Sequence, residues 1–339
     1  MKNHLLAAVA TAAALFTACN KESEAIVPTP TDGTRICITL AEAADTRAFF
    51  DATATAEAWE KTLSSLAVFA FDNAGSLIVR RDFTASELAA KSAIFSLPKS
   101  AAGTPCSFYA VANCDVSAAK TKAALTALVE SAAASYNGTF AEVSIKALCP
   151  GGFVMSGMKM QTVGAVNSTT NVGISLKRTV AKVALQTTVD ASFAEMYSGT
   201  LTINSVKLSK AASQSLVVAG NTPSTGVMDF THTQTSANAA SQFNNLFYLY
   251  ENGALSDGER VLLEIHATYD HDGNDATTDD RSEVTYSIEL AGKAAGEILR
   301  NSYYRISANI TGLVGQECAV SVTVADWESP ITQTVELGA

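Results

Sequence analysis

Few residues in this chain are placed to do chemistry, and the most conspicuous is a single cation. Arg47 stands alone in EAADTRAFFDA, residues 42–52, among small and acidic neighbours. An isolated arginine between an apolar run and the first bulky aromatics is either a solubilising charge or an address for a protease. Cys19 is the second candidate, a thiol preceded by the small residues of FTA. Beyond the first turn of sequence the histidines are His232, His266 and His271, in neither an HExxH arrangement nor a His/Cys cluster. No GxSxG elbow, phosphate-binding loop or dinucleotide-binding GxGxxG is present. The stretch YDHDGNDATTDDR, residues 269–281, carries Asp270, Asp272, Asp275, Asp279 and Asp280, whose oxygens suit calcium, but its glycine is misplaced for an EF-hand loop. It lies between two strand patterns and reads better as a solvated hairpin tip. Nothing selects any pair of carboxylates as a glycosidase dyad. The expectation is no catalytic residue, no metal ligand, no cofactor and no enzyme activity.

The N-terminus is built for export. A basic start at Lys2 precedes an apolar run from Leu5 to Phe16 and small residues before Cys19. The run is too short to span a bilayer, so residues 1–18 read as a signal peptide. Small residues abutting a cysteine look like a bacterial lipobox, at which Cys19 is lipidated (palmitate included) and becomes the new N-terminus. The leucine expected three places before the cysteine is replaced by Phe16, with Leu15 one place earlier, and an ordinary signal ending near Ala18 is the alternative. No later apolar run reaches spanning length, so membrane contact would be through the lipid.

At 339 residues the chain has room for about two domains of ordinary size. It is 47% hydrophobic and 17% charged, with a formal net charge of −10. That composition is globular, and its sign argues against nucleic acid, whose phosphates need a basic surface. Setting Cys19 aside leaves Cys37, Cys106, Cys114, Cys149 and Cys318, without CxxC spacing, expected as small buried hydrophobes. Cys106 and Cys114 are the pair considered for a disulfide.

The elements that must position these residues are mostly strands. Residues 19–34 form an acidic, proline-bearing tether. RICITL then alternates, placing Ile36, Ile38 and Leu40 on one face, Cys37 and Thr39 on the other. LSSLAVFAFDNAGSLIVRRDF reads as a hairpin turning at Asn73–Gly75, SFYAVANC as a central strand, and the stretch after Asp115 as an alanine-rich helix with Leu125, Leu128 and Val129 on its packed stripe. The second half is almost purely β. The class is therefore mainly β: two sandwich domains, transthyretin-like or Greek-key, with a short helix in the first. The boundaries are 35–47 for a first strand, 48–177 and 178–339 for the two sandwiches, the last residues, 328–339, being a tail.

Read from end to end, the chain resembles the fimbrillin family, the major stalk subunits of type V pili. The resemblance is carried in order by ACNKESEA, Thr46-Arg47-Ala48, LAVFAFDNAGSL, FYAVANCD, FVMSG, SLKRTVAKVAL, FYLYENG, ILRNSYYRISANITG and VTVADW. It implies a lipoprotein carried to the outer membrane, an arginine-specific protease that cuts after the first strand, and a mature subunit in an extracellular fimbria that supports adhesion. On Arg47 and Ala48 the matched cut releases residues 35–47. Physically, a sandwich that loses a strand keeps an apolar groove with unpaired backbone. The tail SPITQTVELGA alternates, with Ile331, Val335 and Leu337 on one face and Gln333 as the polar exception. Pro330 sets it apart from the preceding strand, so it need not fold back on its own domain and can fill another subunit's groove by strand addition. A head-to-tail contact of that kind builds a polymer. Partners are then other copies and related pilus subunits. Other readings are a pilus anchor, which keeps its first strand, a tip, which lacks a donor tail, and a monomeric surface lipoprotein binding glycan or host protein.

Overall fold

The structure is a computed structural model and describes residues 33–41, 59–131, 136–137, 151–220, 226–237, 242–274, 276–292, 295–313, 323–326 and 332–337, with backbone alone for 232–237, 242, 323–326 and 332–337. Cys19, Arg47, Ala48, Cys149, Asp275, Cys318 and Ile331 lie outside the described residues.

The first sandwich pairs two sheets. One has the order β3 (Leu77–Asp82), β2 (Leu66–Phe71), β5 (Pro105–Ala112), β7 (Met155–Thr162), β9 (Lys177–Arg178). The other is β4 (Ser92–Pro98), β1 (Gly33–Leu40), β8 (Thr169–Ile174). Their facing sides share one core, in which Ile36, Ile38 and Leu40 meet Val68, Phe108 and Val172. The opposite face of β2 and β5 is covered as well: Phe69, Phe71, Tyr109 and Val111 pack with Leu125 and with Val217 and Val218. Two-sided burial explains why LAVFAF is continuously apolar instead of alternating.

The second sandwich sets β14 (Gln242–Tyr250), β10 (Val180–Val189), β17 (Ser302–Ile310) and β18 (Thr323–Asp326) against β13 (Val227–Ala237), β11 (Thr200–Ala212), β15 (Leu262–Asp270) and β16 (Arg281–Glu289). Its helical pieces are few. Of the described residues, α1 (Ala85–Ala90) and α2 (Lys122–Thr126) belong to the first sandwich and α3 (Ala191–Met196) to the second. The helix expected after Asp115 is thus a single short turn capped by the Thr121 side chain. Leu125 is buried as expected, but Val129 is exposed and belongs to β6 (Val129–Glu130), which pairs with β12 (Ser215–Leu216). Pairing with a strand from the second half of the chain overrides the local alanine-rich propensity.

The sandwiches meet through a buried polar junction. The Glu60 carboxylate, in the turn Trp59–Lys61, is fully buried and lies 2.8 Å from the Lys182 ammonium. Tyr248 donates to the same carboxylate at 2.5 Å, and Arg178 Nε donates to the Glu60 carbonyl at 2.8 Å. Trp59 and Tyr248 close over Phe153, with ring centroids 5.7 and 4.8 Å away from it. Burial pushes the Glu60 carboxyl upward, but the Lys182 and Arg178 charges outweigh it and hold the group below the ordinary carboxylate value. Nearby Glu130 accepts from Tyr136 and Thr179, and there burial prevails and raises the carboxyl.

Glu60→Gln leaves the Lys182 ammonium buried without its counter-charge and is expected to lower unfolding free energy by roughly 3–5 kcal/mol in urea titration. Because the folded value of Glu60 is depressed, its contribution is complete above the unfolded carboxylate value of about 4.3 and vanishes as pH falls through the folded one. The gap between the two proteins therefore closes in acid; a gap that is constant with pH refutes the assignment.

Candidate functional site

The feature with most capacity to act is the seat of β1. This strand does not lie at an edge. It is the middle of its sheet, antiparallel to β4 with Ile36 opposite Phe95 and Ile38 opposite Ala93, and parallel to β8 with Ile38 beside Val172 and Leu40 beside Ile174. The alternation seen in the sequence sets Thr34, Ile36, Ile38 and Leu40 inward, at 0, 0, 0 and 8% exposure. Backbone bonds close both margins: Arg35 N–H donates to Ser168 O at 2.9 Å, Leu40 N–H to Lys91 O at 2.9 Å and Ala41 N–H to Ile174 O at 3.2 Å. The Thr34 hydroxyl also donates to the Ser168 carbonyl, at 3.3 Å, making the first inward position polar.

Strands sit about 4.8 Å apart, so β4 and β8 stand about 10 Å from each other with β1 between them. Without it they would face one another as two open edges above an apolar floor. Each aliphatic returned to water costs about 1.5–3 kcal/mol, and each buried backbone group left unpaired adds to that. The seat therefore demands an extended segment with alternating apolar side chains.

The tail does fold back on its own domain. Residues Thr332–Leu337 form β19, paired in parallel with β17 of the same chain from Arg305–Thr332 to Ile310–Leu337. β18 pairs with β17 over Ser302–Tyr304, antiparallel, so the two short strands share β17 as their neighbour in succession. Pro330 separates the tail from β18 in sequence but does not keep it off its own sheet; β17 offers unpaired ladder positions beyond Tyr304, and the tail's backbone takes them. Val335 and Leu337 lie on this strand.

One cysteine, Cys37, differs from expectation. Cys106 and Cys114 carry free thiols, while Cys37, in the middle of β1, is disulfide-bonded. Burial raises both free thiols.

The acidic stretch 269–281 is the tip joining β15 to β16. Asp270, Asp272 and Asp280 bring carboxylate oxygens within 4.8 Å of one another. They are engaged by the turn itself: Asp270 accepts from Gly273 N–H at 2.8 Å and from Arg281 Nε at 3.0 Å, and Asp280 accepts from Asp272 N–H at 3.0 Å. His266 and His271 bond to neighbouring hydroxyls at the surface, and His232 lies in β13 with its side chain outside the description.

Sequence reasoning passed over Asn113. It adopts φ 58°, its Oδ1 accepts from Ser64 and Ser65 N–H at 2.8 and 3.3 Å, and its Nδ2 donates to Thr62 and Phe153 carbonyls at 2.7 and 2.8 Å. One side chain thus fixes the path by which the chain enters β2. An Asn ending an apolar strand run, as in FYAVANC, is the signal that marked it.

No helix among the described residues is long and apolar enough to cross a membrane. No curated protein matches the chain. Among solved structures, a fimbrilin (fimA) from Porphyromonas gingivalis W83 superposes with a TM-score of 0.59 at 15% identity, over 90% of this chain and 98% of its own. The tip fimbrial protein Mfa3 from Porphyromonas gingivalis, with C-terminal truncation, does so at 0.53 and 15% identity, over 87% and 100%. These likenesses are of fold. A family model, described as fimbrillin-A associated anchor proteins Mfa1 and Mfa2, matches residues 30–332. The match takes in most of the chain, from just before β1 to the first residue of β19, and the chain belongs to this family of fimbrial subunits.

Proposed function

We propose that the chain is a non-catalytic pilus subunit that polymerises by exchanging β1 for the tail of a second copy, after a protease cuts behind Arg47. The single observation that supports this best is the position of β1: a strand central to its sheet, ending at Leu40, seven residues before Arg47, and holding three aliphatic anchors. The precursor is a lipoprotein held in the outer membrane through Cys19, and the product is an extracellular fimbria.

The polar first seat selects a register for the incoming tail. With the tail running as β1 runs, Gln333 takes the place of Thr34 beside the Ser168 carbonyl, Val335 that of Ile36 and Leu337 that of Ile38. Moving the tail two residues forward would bury the Gln333 amide in the dry seat of Ile36, at a cost of about 1–3 kcal/mol. A shift by one residue turns Val335 and Leu337 to solvent. In the selected register Thr334 lies opposite Ser96 of the acceptor, as Arg35 does in the precursor.

A second reading, a pilus anchor that retains β1, draws on the family description and on the tail's seat along its own β17. It differs in having no use for the cut.

Limited digestion with an arginine-specific protease in the presence of dithiothreitol is expected to give a product beginning at Ala48, followed by ladders of multimers on native gels. Arg47→Ala, or deletion of residues 331–339, leaves monomer; a ladder from either variant overturns the exchange. An uncut, stable precursor with polymers absent under all digests supports the anchor. Pairing Ser96→Cys with Thr334→Cys, in cut protein treated with a short bis-maleimide linker, is expected to join separate subunits at least roughly tenfold more efficiently than pairing Phe95 or Ile94 substitutions with the same partner, since the proximity effect applies at one register only.

A further inference from the structure

We propose that the disulfide at Cys37 is a covalent latch on β1, so that the strand leaves its seat only after both the peptide bond behind Arg47 and this sulfur–sulfur bond have been opened. The inference rests on the reading of β1 as a removable strand.

Cys37 is on the outward face of β1, where Arg35 is exposed and Thr39 is partly so, yet it is itself 0% exposed and disulfide-bonded. It stands between the two deepest anchors, Ile36 and Ile38, opposite Ile94 and beside Asn171, so a tether here holds the whole strand in register. The sequence has 6 cysteines, and Cys106 and Cys114 are free, which leaves Cys19, Cys149 and Cys318 to supply the second sulfur. Lipidation of Cys19 would convert its thiol to a thioether and remove it from disulfide chemistry. Cys149 and Cys318 both follow Arg47, in the part of the chain that the cut leaves behind.

The consequence is kinetic and thermodynamic. Once the backbone is cut, an untethered β1 is an ordinary peptide ligand that dilutes away. A disulfide keeps it at an effective concentration of the order of millimolar, against donor tails at about micromolar, so it outcompetes them by roughly 10³-fold. Opening the latch takes a dithiol reductant. One thiolate attacks a sulfur of the bond and expels the other as a thiolate, which is protonated; the reductant's second thiol then resolves the mixed disulfide. Two cysteine thiols form in the subunit and the reductant leaves as its disulfide. In the register proposed above Glu336 of the donor takes the place of Cys37, so the freed cysteine of the acceptor finds no sulfur on the strand that replaces it.

The test uses the full chain purified without reductant. Alkylation under denaturing, non-reducing conditions followed by peptide mass mapping is expected to find Cys37 linked to Cys149 or Cys318. Recovery of alkylated Cys37, or of a link to Cys19, overturns the latch. After the arginine-specific cut, the fragment ending at Arg47 is expected to stay with the body in denaturing non-reducing gels and to be freed by dithiothreitol. Cys37→Ser is expected to release it without reductant, at least roughly tenfold faster under native conditions. Equal release from the unsubstituted protein with and without dithiothreitol refutes the proposal, independently of how the variant folds. Following the fragment separates the two ideas. A retained fragment whose reduction yields no polymer keeps the latch and rejects the exchange, and polymer formed by cutting alone does the reverse.

Discussion

A strand in the middle of a sheet completes the backbone pairing of two neighbours at once, and this constraint governs the first sandwich. β4 and β8 have no ladder with each other; each is paired with β1. They cannot close the gap by sliding together, because both also contribute inward side chains to a core whose opposite wall is a five-stranded sheet. That wall is in turn held from behind by Val217 and Val218 of the second sandwich. A dense interior of this kind does not flow to fill a missing strand. Only another extended segment satisfies both margins, and this makes a vacancy at β1 specific in shape as well as sticky.

The alternation of RICITL was readable because a strand buried on one face must repeat every two residues. Its place between β4 and β8 was not, since those partners come from residues 92–98 and 169–174 and nothing local encodes the pairing. LAVFAF announced burial but not its cause, which is a second set of covering residues from a distant loop. The stretch around Leu125 and Val129 misled for the opposite reason: alanine-rich sequence favours a helix locally, and a two-residue pairing with β12 settled the matter from afar. The tail's alternation was plain, but its seat along β17 depends on ladder positions that the sequence does not advertise. Cys37 looked like a small hydrophobe because its disulfide bonding leaves no mark in the spacing of the cysteines.

The junction was the least legible part. Glu60, Arg178, Lys182 and Tyr248 are scattered through the sequence, and no short motif joins them. Their arrangement obeys a general rule: a buried charge is tolerated when paired and hydrogen-bonded, as Glu60 is by Lys182 and Tyr248. Such a cluster adds little stability over an apolar substitute of the same shape, but it accepts only one mutual placement of the parts that bring it together. Here it fixes the turn at Trp59–Lys61, which begins the path into the first sandwich, to β10 and β14 of the second.

That placement matters mechanically. In a shaft assembled as proposed, tension enters one sandwich through an occupied seat and leaves the other through an outgoing tail, so the load must traverse the boundary between them. The seat is pulled along the strand axis, where its bonds resist together as a sheared lap joint. The bridging ribbon of β6 and β12 is only two residues long on each side. The compliance of the whole fibre would then be set by the ionic and aromatic cluster beside that ribbon, and each subunit would bend at its waist before it parts from its neighbour.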